Sequence, residues 1–365
     1  MENSQCLTGA QAIIATLRAH NVDTIFGIPG VHTLPIYDAI YQEPGLRHIL
    51  ARHEQGAGFM AEGYARVSGR PGVVCTISGP GVTNVATPVA NAYADSIPLL
   101  VISSSLPRAT PSRGRGELHE VKNQLGVMES LTGWARAVNA VDVLPTQHPL
   151  VLTTNDYLPT ELRTLTATSD LVLVVGSKLG AEHTDSGRLP LPTPLIHIDV
   201  DPTEIGHNYP ATLGIVADAC LALEALLELL HDVHRQHCVR RVEIEQVREV
   251  LHKSTREANS ESFAFLEALY AGLPRDSIVV ADMTLLGYAC AQYLSVHEPR
   301  TFIHPAEFCT IGCALPLALG AKVAAPERPV IALCGDGGFL LNVSELATAA
   351  QEKLPVTAVI FNDST

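Results

Sequence analysis

The sequence predicts an α/β protein built from doubly wound parallel sheets covered by helices. Three observations carry that expectation. Short apolar runs of strand length alternate with amphipathic stretches of helix length in three parts of the chain. Hydrophobic residues make up 47% of the chain and aromatics only 5%, so the interior falls to Ala, Val, Leu and Ile, which suit strands buried on both faces. Glycine-containing turns follow several of the apolar runs directly.

Taken in order, Thr8 caps a helix reaching about His20, with Ile13, Ile14 and Leu17 on one face. A strand at 24–28 ends in Pro29-Gly30, and a further helix leads to a strand at 48–51. A helix from 54 to 67 follows. Strands at 72–78 and 99–104 enclose a helix that starts near Val82. From 106 to 165 the alternation lapses into a Pro/Ser/Arg/Gly loop at 108–115 and a proline-bearing stretch at 141–159. Strands return at 170–175, 195–199 and 214–218, and 221–230 is an apolar helix. Residues 231–258 are a charged helical stretch. The last segment repeats the pattern, with strands at 277–281, 329–334 and 356–361 and helices near 262–271, 312–323 and 343–352.

Charge narrows the partners. Lys and Arg number 24 against 38 Asp and Glu, a net charge of −14, which repels phosphate backbones and anionic lipid. Neither nucleic acid nor membrane is expected as a partner, and no uncharged apolar run reaches membrane-spanning length. The amino terminus lacks a basic start and apolar stretch, so a cytoplasmic location is expected. The 8 cysteines form no CxxC pair. Cys309 and Cys313 have the spacing of one helix face but no matching pair to complete a metal site.

The strongest chemical signal is Gly335-Asp336-Gly337, followed by Gly338, directly after the apolar run 329–334. Ligands of open α/β sheets bind beyond the carboxyl ends of strands, where a helix start receives anionic groups. Glycines flanking Asp336 let backbone approach a diphosphate, and the carboxylate is a hard ligand suited to Mg²⁺. Residues 338–361 supply one helix and one strand, bringing Asn362-Asp363 to the neighbouring strand end. A second signal is Arg52-His53-Glu54-Gln55-Gly56-Ala57-Gly58. Alone it reads as a solvated helix start, where carboxylates are favoured.

Together these motifs resemble thiamine diphosphate-dependent enzymes of the acetolactate synthase and 2-oxo-acid decarboxylase family. The resemblance implies a thiamine diphosphate-binding fold and thiamine diphosphate with Mg²⁺ as cofactors. It implies Glu54 as the carboxylate that hydrogen-bonds the aminopyrimidine ring, and Asp336, Asp363 and the carbonyl of Thr365 as metal ligands. Asp363 stands where the family carries asparagine, which adds negative charge beside the diphosphate. Cofactor contacts are implied for Gly27, Ile28, Pro29 and Gly30, for Ser78, Gly79, Pro80 and Asn84, and for Gly335, Asp336, Gly337 and Gly338. Ile311 corresponds to the aliphatic residue that props the cofactor into a bent shape. His119 and Glu120 stand where relatives face the substrate. The run 114–120 looks closest to decarboxylases of basic 2-oxo acids, notably the 5-guanidino-2-oxopentanoate type. FAD is carried by some members and cannot be read from this chain. A homodimer or homotetramer is implied, because the family cofactor lies between subunits. A nicotinamide Rossmann enzyme finds no GxGxxG with its acidic residue.

The same resemblance predicts an incomplete arrangement of the family's domains. Residues 1–147 match a pyrimidine-binding domain lacking its end, and 148–232 match part of a central domain, with strands at 170–176 and 196–199. Residues 233–258 are the linker, and 259–365 match the first half of a diphosphate-binding domain. The joint near 141–147 is expected to omit the end of one domain and the start of the next. A non-catalytic homologue that binds cofactor or a full-length partner is the competing expectation, and little turnover is expected of the 365-residue chain itself.

Overall fold

The computed structural model describes residues 7–105, 118–132, 160–180, 184–230, 240–258, 260–294, 296–305 and 308–362. The loop expected at 108–115, the joint at 141–147, and Asp363 and Thr365 lie outside the described residues.

The elements begin with α1 (Gly9–Ala19), β1 (Thr24–Gly27), α2 (Leu34–Tyr41), β2 (Arg47–Leu50), α3 (Glu54–Ser68) and β3 (Gly72–Thr76). Next come α4 (Pro80–Asn84), α5 (Ala86–Ala94), β4 (Leu99–Ser103), α6 (Gln124–Glu129), α7 (Thr160–Ala167), β5 (Val172–Val175), β6 (Leu195–Asp199) and β7 (Leu213–Val216). Four elements follow: α8 (Ala219–Leu229), α9 (Arg241–Ala258), α10 (Ser260–Gly272) and β8 (Ile278–Ala281). The chain closes with α11 (Leu285–Tyr293), β9 (Phe302–Ile303), α12 (Ala314–Ala324), β10 (Val330–Gly335), α13 (Asp336–Leu341), α14 (Glu345–Glu352) and β11 (Thr357–Phe361). Every strand pair among the described residues is parallel. The sheets run β2-β1-β3-β4, β11-β10-β8-β9 and β5-β6-β7. The expected doubly wound α/β class is the observed one.

The chain divides into two compact units. The first holds the described parts of Met1–Ala135, Ser277–Thr284 and Phe302–Thr365, and therefore both four-stranded sheets. Its strands alternate between two cores, as a period of two requires. Ile25, Val73 and Cys75 pack under α1 and α2, whereas Phe26 and Val74 face the larger core with Phe59, Met60 and Leu317. Burial on both faces is why these strands read as unbroken apolar runs. The second unit carries the β5-β6-β7 sheet and a small core in which Leu162 meets Val247.

The centre of the first unit is the crossing of α3 and α12, buried from Gly56 to Ala65 and from Ala314 to Val323. A Cβ on Gly63 would lie 2.1 Å from the Leu317 carbonyl oxygen, and one on Gly320 would lie 1.8 Å from that of Met60. Backbone rides on backbone here, so both positions require glycine.

Some boundaries differ from expectation for local reasons. The helix read from Val82 is two helices, α4 and α5. Pro88 has no N–H to give the Asn84 carbonyl, so the helix breaks at Val85. The helix read from Gly312 starts at Ala314, because Gly312 is left-handed with φ +83°. Cys309 is exposed in the turn before it and Cys313 is buried, so the two share no helix face. The elements β9 and α11 carried no signal.

Beside the crossing, Glu62 and Asp95 share the Arg66 guanidinium, and Asn91 donates to both Glu62 oxygens at 2.8 and 3.0 Å. Two carboxylates against one cation leave excess negative charge in a dry site. Burial pushes the Glu62 carboxyl up to about 7, against the pull of Arg66 and with a further push from Asp95. A carboxyl raised in the folded state contributes stability that is complete below the ordinary glutamate range and lost as pH rises through about 7. Thermal melts should therefore fall between pH 5 and 8 more steeply in the parent than in Glu62→Gln, by roughly 2 kcal/mol in stability. Parallel pH profiles would remove this assignment.

Candidate functional site

The carboxyl ends of β1, β2 and β3 lead into short connections at one end of the first sheet, where α/β proteins bind ligands. After β2, His53 takes an extended conformation and caps α3, its Nδ1 accepting from the Gln55 amide at 3.1 Å. Glu54 is then the first residue of α3 and is half-buried. Asn84, at the end of α4, donates to Glu54 Oε2 at 2.9 Å. Gly81 brings the same helix close, with an added Cβ 3.6 Å from Glu54 Oε1. The sequence-predicted Glu54 and Asn84 thus meet directly.

Gly27 ends β1, and the connection after it holds Ile28, Pro29 and Gly30. Both glycines answer first to packing: a Cβ on Gly27 would lie 2.2 Å from the Cys75 carbonyl oxygen, and one on Gly30 2.3 Å from Ile77 Cδ1. After β3, the Ser78 amide donates to Ser104 Oγ at 2.9 Å and the Gly79 amide to Gln124 Oε1 at 2.7 Å. Gly79 needs φ +68°, with an added Cβ 2.4 Å from the His119 carbonyl oxygen. His119 itself is left-handed and lies against His32, ring centroids 5.7 Å apart and edge to face. His32 Nδ1 stands 2.8 Å from Ser78 Oγ, while His119 Nδ1 is buried without a hydrogen-bond partner among the described residues. Glu120 follows, half-buried. His32 carried no signal in the sequence; only the loop geometry sets it beside His119.

On the second sheet, Gly335 ends β10 and Asp336 opens α13, exposed, its Oδ1 accepting from the Gly337 amide at 2.7 Å. Gly337 faces open space, with nothing within 4 Å of an added Cβ. Gly338 is buried for a different reason, since its Cβ would lie 2.6 Å from Asp282 Oδ2. Asp282, fully buried, accepts from the Gly312 amide at 2.8 and 3.0 Å and from the Met283 amide at 2.9 Å. Burial raises its carboxyl above the ordinary aspartate range, while those amides pull it down. Asn342 donates to the Gly312 carbonyl at 2.7 Å. Asp282 thus ties the turn behind Ile311 to the end of β8, and Asn342 ties it to the end of α13. Ile311 is 55% exposed, so it is a surface residue beside this turn and not core.

Gly335 is in register with Phe361 in the parallel β10–β11 pair, so Asn362 leaves its strand beside Asp336. Among the described residues no group of three or more His, Cys, Asp or Glu gathers around a cation position. The residues present fit thiamine diphosphate at both ends. Open space over Gly337 at a strand end admits a diphosphate, and an oriented carboxylate at Glu54 suits a ring nitrogen. No helix among the described residues is long and apolar enough to cross a membrane.

Comparison with known proteins gives one consistent picture. The family models described as thiamine pyrophosphate enzyme N-terminal TPP binding domain, central domain and C-terminal TPP binding domain match residues 7–127, 132–226 and 282–365. The chain is 32% identical to the probable 2-ketoarginine decarboxylase AruI of Pseudomonas aeruginosa, covering 100% of this chain and 83% of the relative. It is 29% identical to the acetolactate synthase isozyme 3 large subunit of Escherichia coli, covering 98% and 83%. It is 28% identical to the acetolactate synthase of Mycobacterium bovis, covering 98% and 76%. The Pseudomonas alignment runs over 466 positions against 365 residues here, so that relative holds interior segments without a counterpart in this chain.

Proposed function

The chain belongs to the thiamine pyrophosphate enzyme family, and from that membership we propose that it is a Mg²⁺-dependent decarboxylase of a 2-oxo acid. The observation that carries this reading is the Asn84–Glu54 hydrogen bond of 2.9 Å on the carboxyl edge of the first sheet. When bound, thiamine diphosphate supplies a thiazolium carbon that attacks the substrate carbonyl and takes up the electrons released with CO₂.

The protein's own residues do the rest. Glu54 would hydrogen-bond the aminopyrimidine ring through the carboxylate oxygen that Asn84, which donates to Oε2, leaves free. Asp336 would hold Mg²⁺, with Asp363 and the Thr365 carbonyl as the further ligands the family resemblance implies, and the open space over Gly337 would admit the diphosphate. His32 and His119 present ring nitrogens to the substrate, with Glu120 beside them. The name of the Pseudomonas relative, a probable 2-ketoarginine decarboxylase, and the run 114–120 both favour a 2-oxo acid with a cationic side chain. Carboligation and FAD belong to the acetolactate synthase branch, which a flavin absorbance in the purified protein would mark.

In this reading residues 1–147 bind the pyrimidine end and 259–365 the diphosphate end. Residues 148–232 form the partial central domain and 233–258 the linker. The two ends of the cofactor come from two copies of the chain, so a homodimer is the smallest competent species. Calorimetric titration with thiamine diphosphate should give saturable binding that requires Mg²⁺ and weakens at least about tenfold in Asp336→Ala. Absence of heat at any Mg²⁺ concentration would defeat the proposal.

A further inference from the structure

A buried carboxylate outside the motifs discussed so far touches the backbone that carries Glu54. Glu345, the first residue of α14, is 0% exposed. Its Oε1 accepts from the amides of Arg52 at 3.1 Å and His53 at 3.0 Å, and its Oε2 from the Arg52 amide at 3.3 Å and Thr348 Oγ1 at 2.6 Å. The Ala51 amide still bonds the Gly27 carbonyl, so Arg52 and His53 are the two residues between the sheet ladder and the first turn of α3. Their amides have no neighbour strand to pair with, and a buried amide left unpaired is costly.

A carboxylate suits the position better than a neutral acceptor. The amino termini of α3 and α14 both meet it, each carrying partial positive charge, and hydrogen bonds to an ionised acceptor are the stronger kind. Gly56 records the same contact from the other side, since a Cβ there would lie 2.3 Å from Glu345 Oε1. Arg52 adds a second tie to α14 through Gln351 Oε1 at 2.7 Å.

We propose that Glu345 is a positioning residue: by gripping the Arg52 and His53 amides it sets the height and direction of Glu54 at the start of α3. The inference rests on the reading of Glu54 given above. Glutamine at 345 can keep the amide contacts through its oxygen while its nitrogen turns to Thr348 Oγ1. Alanine keeps nothing.

Two measurements on the full chain test it. In cofactor-free protein, the Arg52 and His53 amides should exchange with deuterium about tenfold faster or more in Glu345→Ala, and within about threefold of the parent in Glu345→Gln. With saturating thiamine diphosphate and Mg²⁺ and no substrate, exchange of the cofactor's C2 proton should slow about tenfold or more in Glu345→Ala and recover in Glu345→Gln. Should Glu345→Ala not fold, Gly56→Ala makes the same test, because its methyl displaces Glu345 while favouring the helix, and it should slow C2 exchange equally. A folded Glu345→Ala, or Gly56→Ala in its place, with C2 exchange within about threefold of the parent would overturn the proposal, provided that Glu54→Gln slows it. If Glu54→Gln leaves that rate unchanged, the role of Glu54 falls and this inference with it, while amide exchange still reports whether the clamp exists.

Discussion

Glutamine in place of Glu54 is expected to slow exchange of the C2 proton of bound thiamine diphosphate by roughly 10²–10⁴-fold, the range that one positioned acid–base group contributes. The substitution is nearly isosteric. Its carbonyl oxygen can still accept from Asn84 Nδ2, which now lies 2.9 Å from Oε2, so the side chain keeps its place and loses only its ability to take up a proton. Cofactor affinity should change far less than the exchange rate. The bland account of Glu54 gives a different outcome. As a carboxylate in the first turn of α3 it would contribute about 0.3–1 kcal/mol to the helix, and glutamine would lower the melting temperature slightly without touching exchange. Quenched-flow exchange followed by proton NMR, paired with a melt, separates the two. An exchange rate within about threefold of the parent would refute the assignment.

What could be read before folding was whatever is written locally. The strands announced themselves as apolar runs because sheets covered on both faces leave no polar side to alternate. The GDG and Arg52–Gly58 segments stood out because turn glycines and a first-turn carboxylate follow strands directly. The residues that hold those segments in place were silent. Asp282 is one aspartate after an ordinary strand, and nothing local says that it will accept the Gly312 amide from a turn that follows it at a distance in sequence. Glu345 lies in the first turn of its helix, where a carboxylate is favoured in any case, and nothing local says that it will accept the Arg52 and His53 amides. His32 meets His119 only because loops after different strands converge on one sheet edge. These are long-range contacts, set by the register of the sheets and not by any pattern within a window of sequence. The motifs mark where chemistry can occur, whereas the buried polar residues that fix its geometry come from the tertiary fold.

The glycines of the helix crossing carry that point into stability. By propensity alone, Gly320→Ala inside α12 should stabilise the helix by about 1 kcal/mol. The packing predicts the opposite sign. The new methyl would sit 1.8 Å from the Met60 carbonyl oxygen, and a backbone oxygen within α3 cannot rotate aside as a side chain would. The two helices must separate, opening the core shared by Phe59, Met60, Leu317 and Leu319, at a cost of about 3 kcal/mol, the upper end of ordinary overpacking. A fall of roughly 10 °C in melting temperature follows for a unit of this size. Gly9→Ala, where nothing lies within 4 Å of the added carbon, serves as the control and should be neutral or mildly stabilising. The same displacement reaches the site, because α3 begins at Glu54 and α12 begins just after the Ile311–Gly312 turn. Gly320→Ala should therefore slow C2 exchange as well as lower the melting temperature. A Gly320→Ala protein that melts at or above the parent would mean that the crossing is looser than 1.8 Å implies and that it does not set the positions of Glu54 and Ile311.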